Sequence, residues 1–228
     1  MEYISSDTAE FLHINGFHPY SQSVMRCDAE MFVWQICTLN ARMKKEIIDV
    51  LLQEDIKQIT LKKKNLTLDI ARKEYQELSY KELLEQNYFT RCSRLIKLSF
   101  LTPTSFKIGG EYQIFPTVKL IFQSLMLKYD AAASDSCIFS EELLQDYADN
   151  TQIIAYRLKS VLFHLEGIKI PSFLGEITLK ITGPQQMVNL AHMLISFGQY
   201  SGVGIKSGIG MGCISLIPKD NKKLRRKG

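Results

Sequence analysis

Apolar residues along the chain switch repeatedly between the spacing of a strand and that of a helix. Asp7 with Glu10 three positions later forms a capping-box-like start, and Gly16 then Pro19 supply a stop, so Leu12 to Tyr20 passes from a helix into a loop. Met31 to Leu39 (MFVWQICTL) is rich in β-branched and aromatic residues and reads as a strand. Ala41 to Gln53 sets Met43, Ile47, Ile48, Leu51 and Leu52 at helical spacing. Ile56 to Ile70 offers strand-like segments around Lys62, Lys63 and Lys64, and the polar stretch Arg72 to Gln86 is a boundary or a peripheral helix.

A second set of elements follows. Ser93 to Leu101 is strand-like, Lys107 to Phe115 is a glycine-containing loop, and Pro116 suits the first turn of a helix running to about Tyr129. Ser140 to Asp149 is a short acidic helix. Gln152 to His164 and Leu174 to Thr182 are strands, the latter alternating Ile177, Leu179, Ile181 with Thr178, Lys180, Thr182. Pro184 to Phe197 is an amphipathic helix, and Gly212 to Ile217 is a closing strand. The second half therefore reads β-α-(α)-β-β-α-β, and the first half α-β-β-α-β, the same order without its opening strand. This predicts an α+β protein of two tandem ferredoxin-like (βαββαβ) modules, residues 1–90 and 91–218, with a basic tail at 219–228.

Charge refines the picture. The net charge is +4, but the tail from Lys219 onward holds six basic residues and one acid, so the body is near neutral, with 22 basic residues against 23 acidic. A nucleic-acid surface must then come from segregated charge, for which Lys62–Lys64 and Arg91, Arg94, Lys97 are candidates; each alone reads first as solvated surface. Five scattered cysteines without a C-x-x-C pair indicate reduced thiols in a cytoplasm rather than a disulfide framework or a zinc site. No run approaches the roughly 20 apolar residues of a membrane span, and no signal peptide is visible.

The most informative segment is S-G-V-G-I-K-S-G-I-G-M-G, residues 201–212, with glycine at 202, 204, 208, 210 and 212. Such a loop can bring several backbone N–H groups to phosphate oxygens. A dinucleotide motif starting at Gly202 requires glycine where Ser207 stands, and a P-loop requires glycine where Ile205 stands. Both also need a strand before and a helix after, the reverse of the order here. What fits is G-h-G-x5-G-h-G, from Gly202 to Gly212.

In this loop the chain resembles the CRISPR-associated endoribonucleases of the RAMP superfamily that process precursor guide RNA. The resemblance continues in Leu101–Phe106 (LTPTSF), Ile114-Phe-Pro116, Ile170-Pro-Ser-Phe173, Leu12-His13 and Pro19-Tyr20-Ser21. It implies an RNA-binding role for Gly202, Gly204, Lys206, Gly208, Gly210, Gly212 and Ser21, with repeat RNA as the partner. Association with an RNA-guided effector complex and formation of a homodimer are left open. It also implies that His13 is the catalytic histidine, and that His18 stands where related enzymes often carry a lysine. Met1 to Ile4 resembles the end of those enzymes' first helix, so an incomplete first sheet is expected.

His13 and His18 lie five apart, at an expected helix end and in the loop after it, where both rings can converge on one phosphate. RNA needs no metal for cleavage, because its own 2′-OH can attack the adjacent phosphorus. Imidazole, titrating near 6.5, serves as either acid or base. The expectation is a cofactor-free, metal-independent endoribonuclease, with no metal site and products ending in a 2′,3′-cyclic phosphate and a 5′-OH. The alternative is a non-catalytic superfamily member that binds and scaffolds guide RNA. His164 and His192 read as structural or surface residues, His192 on a polar helix face with Asn189 and Ser196.

Overall fold

The computed structural model describes residues 18–133, 137–165 and 167–217. The expected helix start at Asp7, the candidate His13 and the basic tail lie outside these residues.

The larger unit is a four-stranded antiparallel sheet with helices on one face. Its strands are β5 (Leu95–Thr104), β8 (Thr151–Leu165), β9 (Ile168–Ile181) and β10 (Ile214–Leu216), in the order β10-β5-β9-β8. That is the ferredoxin-like arrangement, with the last strand beside the first and the two central strands of the sequence forming a hairpin. The helices are α4 (Val118–Ala132), α5 (Glu141–Asn150) and α6 (Gln185–Ser201). β9 buries Ile177, Leu179 and Ile181 as its alternation predicts, and β5 buries Ile96, Leu98 and Phe100. α4 covers them with Ile121, Phe122, Leu125 and Tyr129, spaced as one helical face. Phe122 stacks on Tyr147 of α5 at 4.0 Å, and the Tyr147 hydroxyl donates to the Met187 carbonyl at 2.9 Å.

The N-terminal part is smaller. β1 (Tyr20–Arg26) and β2 (Phe32–Thr38) form a two-stranded antiparallel sheet. Asn40 caps the next helix by accepting the Met43 N–H. This helix runs as α1 (Ala41–Met43), a π-helical segment (Lys44–Ile48) and α2 (Asp49–Leu51). β3 (Gln58–Leu61) and β4 (Leu66–Asp69) pair only with each other among the described residues, around a turn in which Asn65 is left-handed. The Lys62–Lys64 cluster is the tip of this hairpin. α3 (Tyr80–Asn87) starts at Ser79, which forms a full capping box with Glu82. Its Leu83 belongs to the core of the C-terminal sheet, although it precedes the expected division at residue 90.

Three local expectations are refined. Lys107 to Phe115 is mostly a hairpin, β6 (Phe106–Ile108) and β7 (Glu111–Gln113), turning at Gly109–Gly110. Thr117, not Pro116, caps α4: its side chain accepts the Leu120 N–H, and Pro116 falls just outside the helix. β9 begins six residues earlier than its alternating stretch, because Ile168 to Phe173 continues the hairpin with β8. Beyond Phe173, where pairing with β5 ends, β8 and β9 extend as a two-stranded ribbon. No described helix is long and apolar enough to cross a membrane.

Candidate functional site

The glycine loop lies between α6 and β10, and its glycine pattern is first a packing device. Val203 and Met211, the apolar residues inside each G-h-G, are buried. The two arms meet where the Val203 N–H donates to the Gly212 carbonyl at 2.8 Å. The approach is so close that a Cβ at Gly212 would lie 2.0 Å from the Val203 carbonyl oxygen, at a left-handed φ of +75°. The LTPTSF segment is the seat of the loop. The Pro103 carbonyl accepts from Gly212 N–H at 3.1 Å, the Ser105 carbonyl from Ile205 at 3.0 Å, and Thr102 Oγ1 from Cys213 at 2.9 Å.

The seat changes the expectation that many loop N–H groups point at phosphate. The N–H groups of Gly202, Val203, Gly204, Ile205, Ile209, Gly210, Met211 and Gly212 all have protein acceptors. Those of Lys206, Ser207 and Gly208 have none among the described residues. These donors sit at one turn, where Lys206 is exposed and held left-handed at φ 59°, a conformation that strains a residue with a Cβ, and Ser207 and Gly208 are buried.

The N-terminal sheet packs against this turn. Tyr20 lies beneath Gly208, where a Cβ would come within 3.2 Å of its ring. Gln22 donates its amide to the Gly208 carbonyl at 2.7 Å and accepts the Trp34 indole N–H at 2.9 Å. The Ser21 hydroxyl donates to the Tyr200 carbonyl, so this buried residue joins the two modules at the loop's base. His18 is exposed, with its ring centroid 6.0 Å from that of Tyr20. The structure thus places His18 beside Tyr20 and Tyr20 against Gly208, two residues from Lys206, while Ser21 turns to the other side of the strand and is buried against Tyr200.

The other candidates are placed elsewhere. His192 Nε2 donates to the Ser93 carbonyl at 2.8 Å, while Asn189 and Ser196 on the same helix face bind Tyr88 and Asn87. That polar stripe fixes the segment between the modules. Arg94 donates to the carbonyls of Ile181 and Gly183, and Lys97 pairs with Glu176 at 2.9 Å, holding its carboxyl below the usual range. His164 is exposed on β8.

Two side chains that hold the loop are not indicated by the sequence reading. Ser124 and Lys128, one turn apart on α4, both bond to the glycine loop. Their signal was a polar pair at i,i+4, masked by the other polar residues of the helix, Lys119, Gln123 and Asp130. Burial pulls the Lys128 amine down from 10.5 to about 7.

Comparison with known proteins agrees with this geometry. Residues 98–214 match the family model of the CRISPR-associated endoribonuclease Cas6. A CRISPR-associated endoribonuclease Cas6 of Streptococcus thermophilus is 34% identical over 95% of this chain and 87% of its own length. That of Mycobacterium tuberculosis is 28% identical over 96% and 69%. Among solved structures, a Cas6 product complex superposes with a TM-score of 0.79 at 22% identity, covering 94% of this chain and 88% of the other. A Thermus thermophilus Cas6 gives 0.68 at 19% identity, covering 93% and 85%. The match spans the seat, the helix before the loop and the loop itself, ending at the first residue of β10, and the chain belongs to the CRISPR-associated endoribonuclease Cas6 family.

Proposed function

We propose that this protein cuts CRISPR repeat RNA in precursor transcripts to release guide RNAs, without metal, by attack of the RNA's own 2′-OH. The observation that carries the proposal is the seated glycine loop: the N–H groups of Lys206–Gly208, which have no acceptor among the described residues, occur together with the exposed Lys206 side chain. A phosphate there gains charge-assisted hydrogen bonds from backbone and ammonium. His13 removes the 2′ proton or protonates the departing 5′ oxygen, a contribution on the order of 10²–10⁴ in rate. His18, beside Tyr20 at the same junction, serves as a phosphate clamp or the second acid/base group. Fixing the scissile phosphate between the modules supplies the remainder by holding the 2′-OH in line.

The test is cleavage of end-labelled repeat RNA in EDTA, with the ends mapped. Cleavage leaving a 2′,3′-cyclic phosphate, or the 3′-phosphate from its hydrolysis, and a 5′-OH is expected. RNA with 2′-deoxyribose before the cut should bind and stay intact. Its cleavage, or loss of activity in EDTA, refutes the mechanism. Binding without cleavage of all-ribose repeat RNA would instead identify a scaffolding subunit.

A further inference from the structure

The glycine loop is held from behind by α4. Ser124 Oγ accepts the Gly204 N–H at 2.8 Å. One turn later, Lys128 Nζ donates to the Ser201 carbonyl at 3.2 Å, the Gly202 carbonyl at 3.1 Å and Ser207 Oγ at 3.1 Å. An ammonium has three protons, and these three acceptors take them all. Ser201 and Gly202 begin the loop and Ser207 lies on its far side, so one group sets the distance across it.

The placement is costly. The residue as a whole is partly exposed, yet its ammonium is enclosed and its acceptors are all neutral. A buried cation without a carboxylate opposes folding, whereas an apolar side chain here would not. Stability of the helix pair therefore gives no reason for a lysine. The geometry of the loop does.

We infer that Lys128 is a positioning residue for the RNA reaction: by drawing Ser201 and Gly202 toward Ser207, its ammonium fixes the Lys206–Gly208 turn in the form that receives a phosphate. This rests on the function proposed above. Lys128 itself has no proton left for RNA and acts only through the loop.

The test compares wild type, Lys128→Met and Ser207→Ala in single-turnover cleavage of a synthetic single-repeat RNA over a range of protein concentrations. Emission of Trp34, the chain's single tryptophan, is recorded without RNA. It reports on the loop because Trp34 is bonded to Gln22 and Gln22 to Gly208. Lys128→Met should raise the half-saturating protein concentration at least tenfold and change the saturated rate less than threefold, with shifted Trp34 emission. Ser207→Ala, losing one of three acceptors, should shift half-saturation two- to fivefold. Wild-type half-saturation with unchanged emission overturns the inference, as does a change confined to melting temperature. If Lys128→Met does not fold, Ser207→Ala decides by the same criterion. If wild type neither binds nor cuts the RNA, the functional proposal fails, and Trp34 emission of the free proteins decides whether Lys128 sets the loop.

Discussion

Gln22 of the N-terminal sheet donates its side-chain amide to the carbonyl of Gly208 in the glycine loop at 2.7 Å, across 186 positions of sequence. The same side chain accepts the Trp34 indole N–H. One polar residue thus ties the β1–β2 sheet to the turn of the loop whose N–H groups have no acceptor among the described residues. Replacement by alanine should lower stability by about 1 kcal/mol, the typical net value of a hydrogen bond, and melting by about 2–4 °C for a chain of this size. Trp34 emission should change as its N–H passes to water. Differential scanning fluorimetry and emission spectra check both, and unchanged values count against the link.

The loop glycines should separate into two kinds. A Cβ at Gly212 meets the Val203 carbonyl oxygen at 2.0 Å, whereas one at Gly210 meets nothing within 4 Å and suffers only its φ of +107°. Gly212→Ala should therefore cost well over 2 kcal/mol or prevent folding, and Gly210→Ala about 1–2 kcal/mol. Urea unfolding of the two variants gives the comparison; equal costs would show that the seat yields more than its contacts suggest.

His13→Ala should lower the single-turnover cleavage rate at least tenfold while leaving RNA affinity within a few-fold, as removal of an acid/base group does. Rapid-quench kinetics with a parallel binding titration separate the two quantities. A variant cutting at the wild-type rate would move the role to His18.

Lys128 also gives stability a pH dependence of known sign. Its amine titrates near 10.5 in the unfolded chain and near 7 in the fold. Between those values the unfolded state binds more of this proton, so this group's contribution to stability rises with pH; well below the lower value both states are protonated and the penalty of the buried charge is complete. Wild type should accordingly gain on Lys128→Met as pH rises from 7 to 9, and the difference should level off below about pH 6. Denaturant titrations of both proteins at each pH measure it.

The C-terminal module was legible because its signals are local and periodic. The Ile177–Leu179–Ile181 alternation, the Ser140 cap and the apolar face of α4 each specify one element, and the strand order follows from their sequence. The N-terminal part was less so: Ile56 to Ile70 carries strand composition, but whether such strands join β2 or pair with each other depends on long-range partners. In the site, glycine spacing marked the loop but not its use. Glycine signals backbone freedom without saying whether a ligand or another strand fills the space, and here most of it is filled by Val203, Ser105 and Pro103. Lys128 was missed because a lysine between Leu127 and Tyr129 looks like a surface residue until the loop above it is placed.

The β8–β9 ribbon behaves mechanically as a cantilever. It is rooted where β5 still pairs with β9, near Phe173, and Ser172 and Ile170 are still buried there; toward Ile168 its two strands pair, among the described residues, only with each other. A two-stranded ribbon twists more than a sheet, and the twist accumulates along its length. Where the tip points is therefore decided at the root. Substitutions near Gly175, whose Cβ would strike the Arg157 carbonyl at 2.0 Å, act on that direction from a distance, without altering a single residue of the tip.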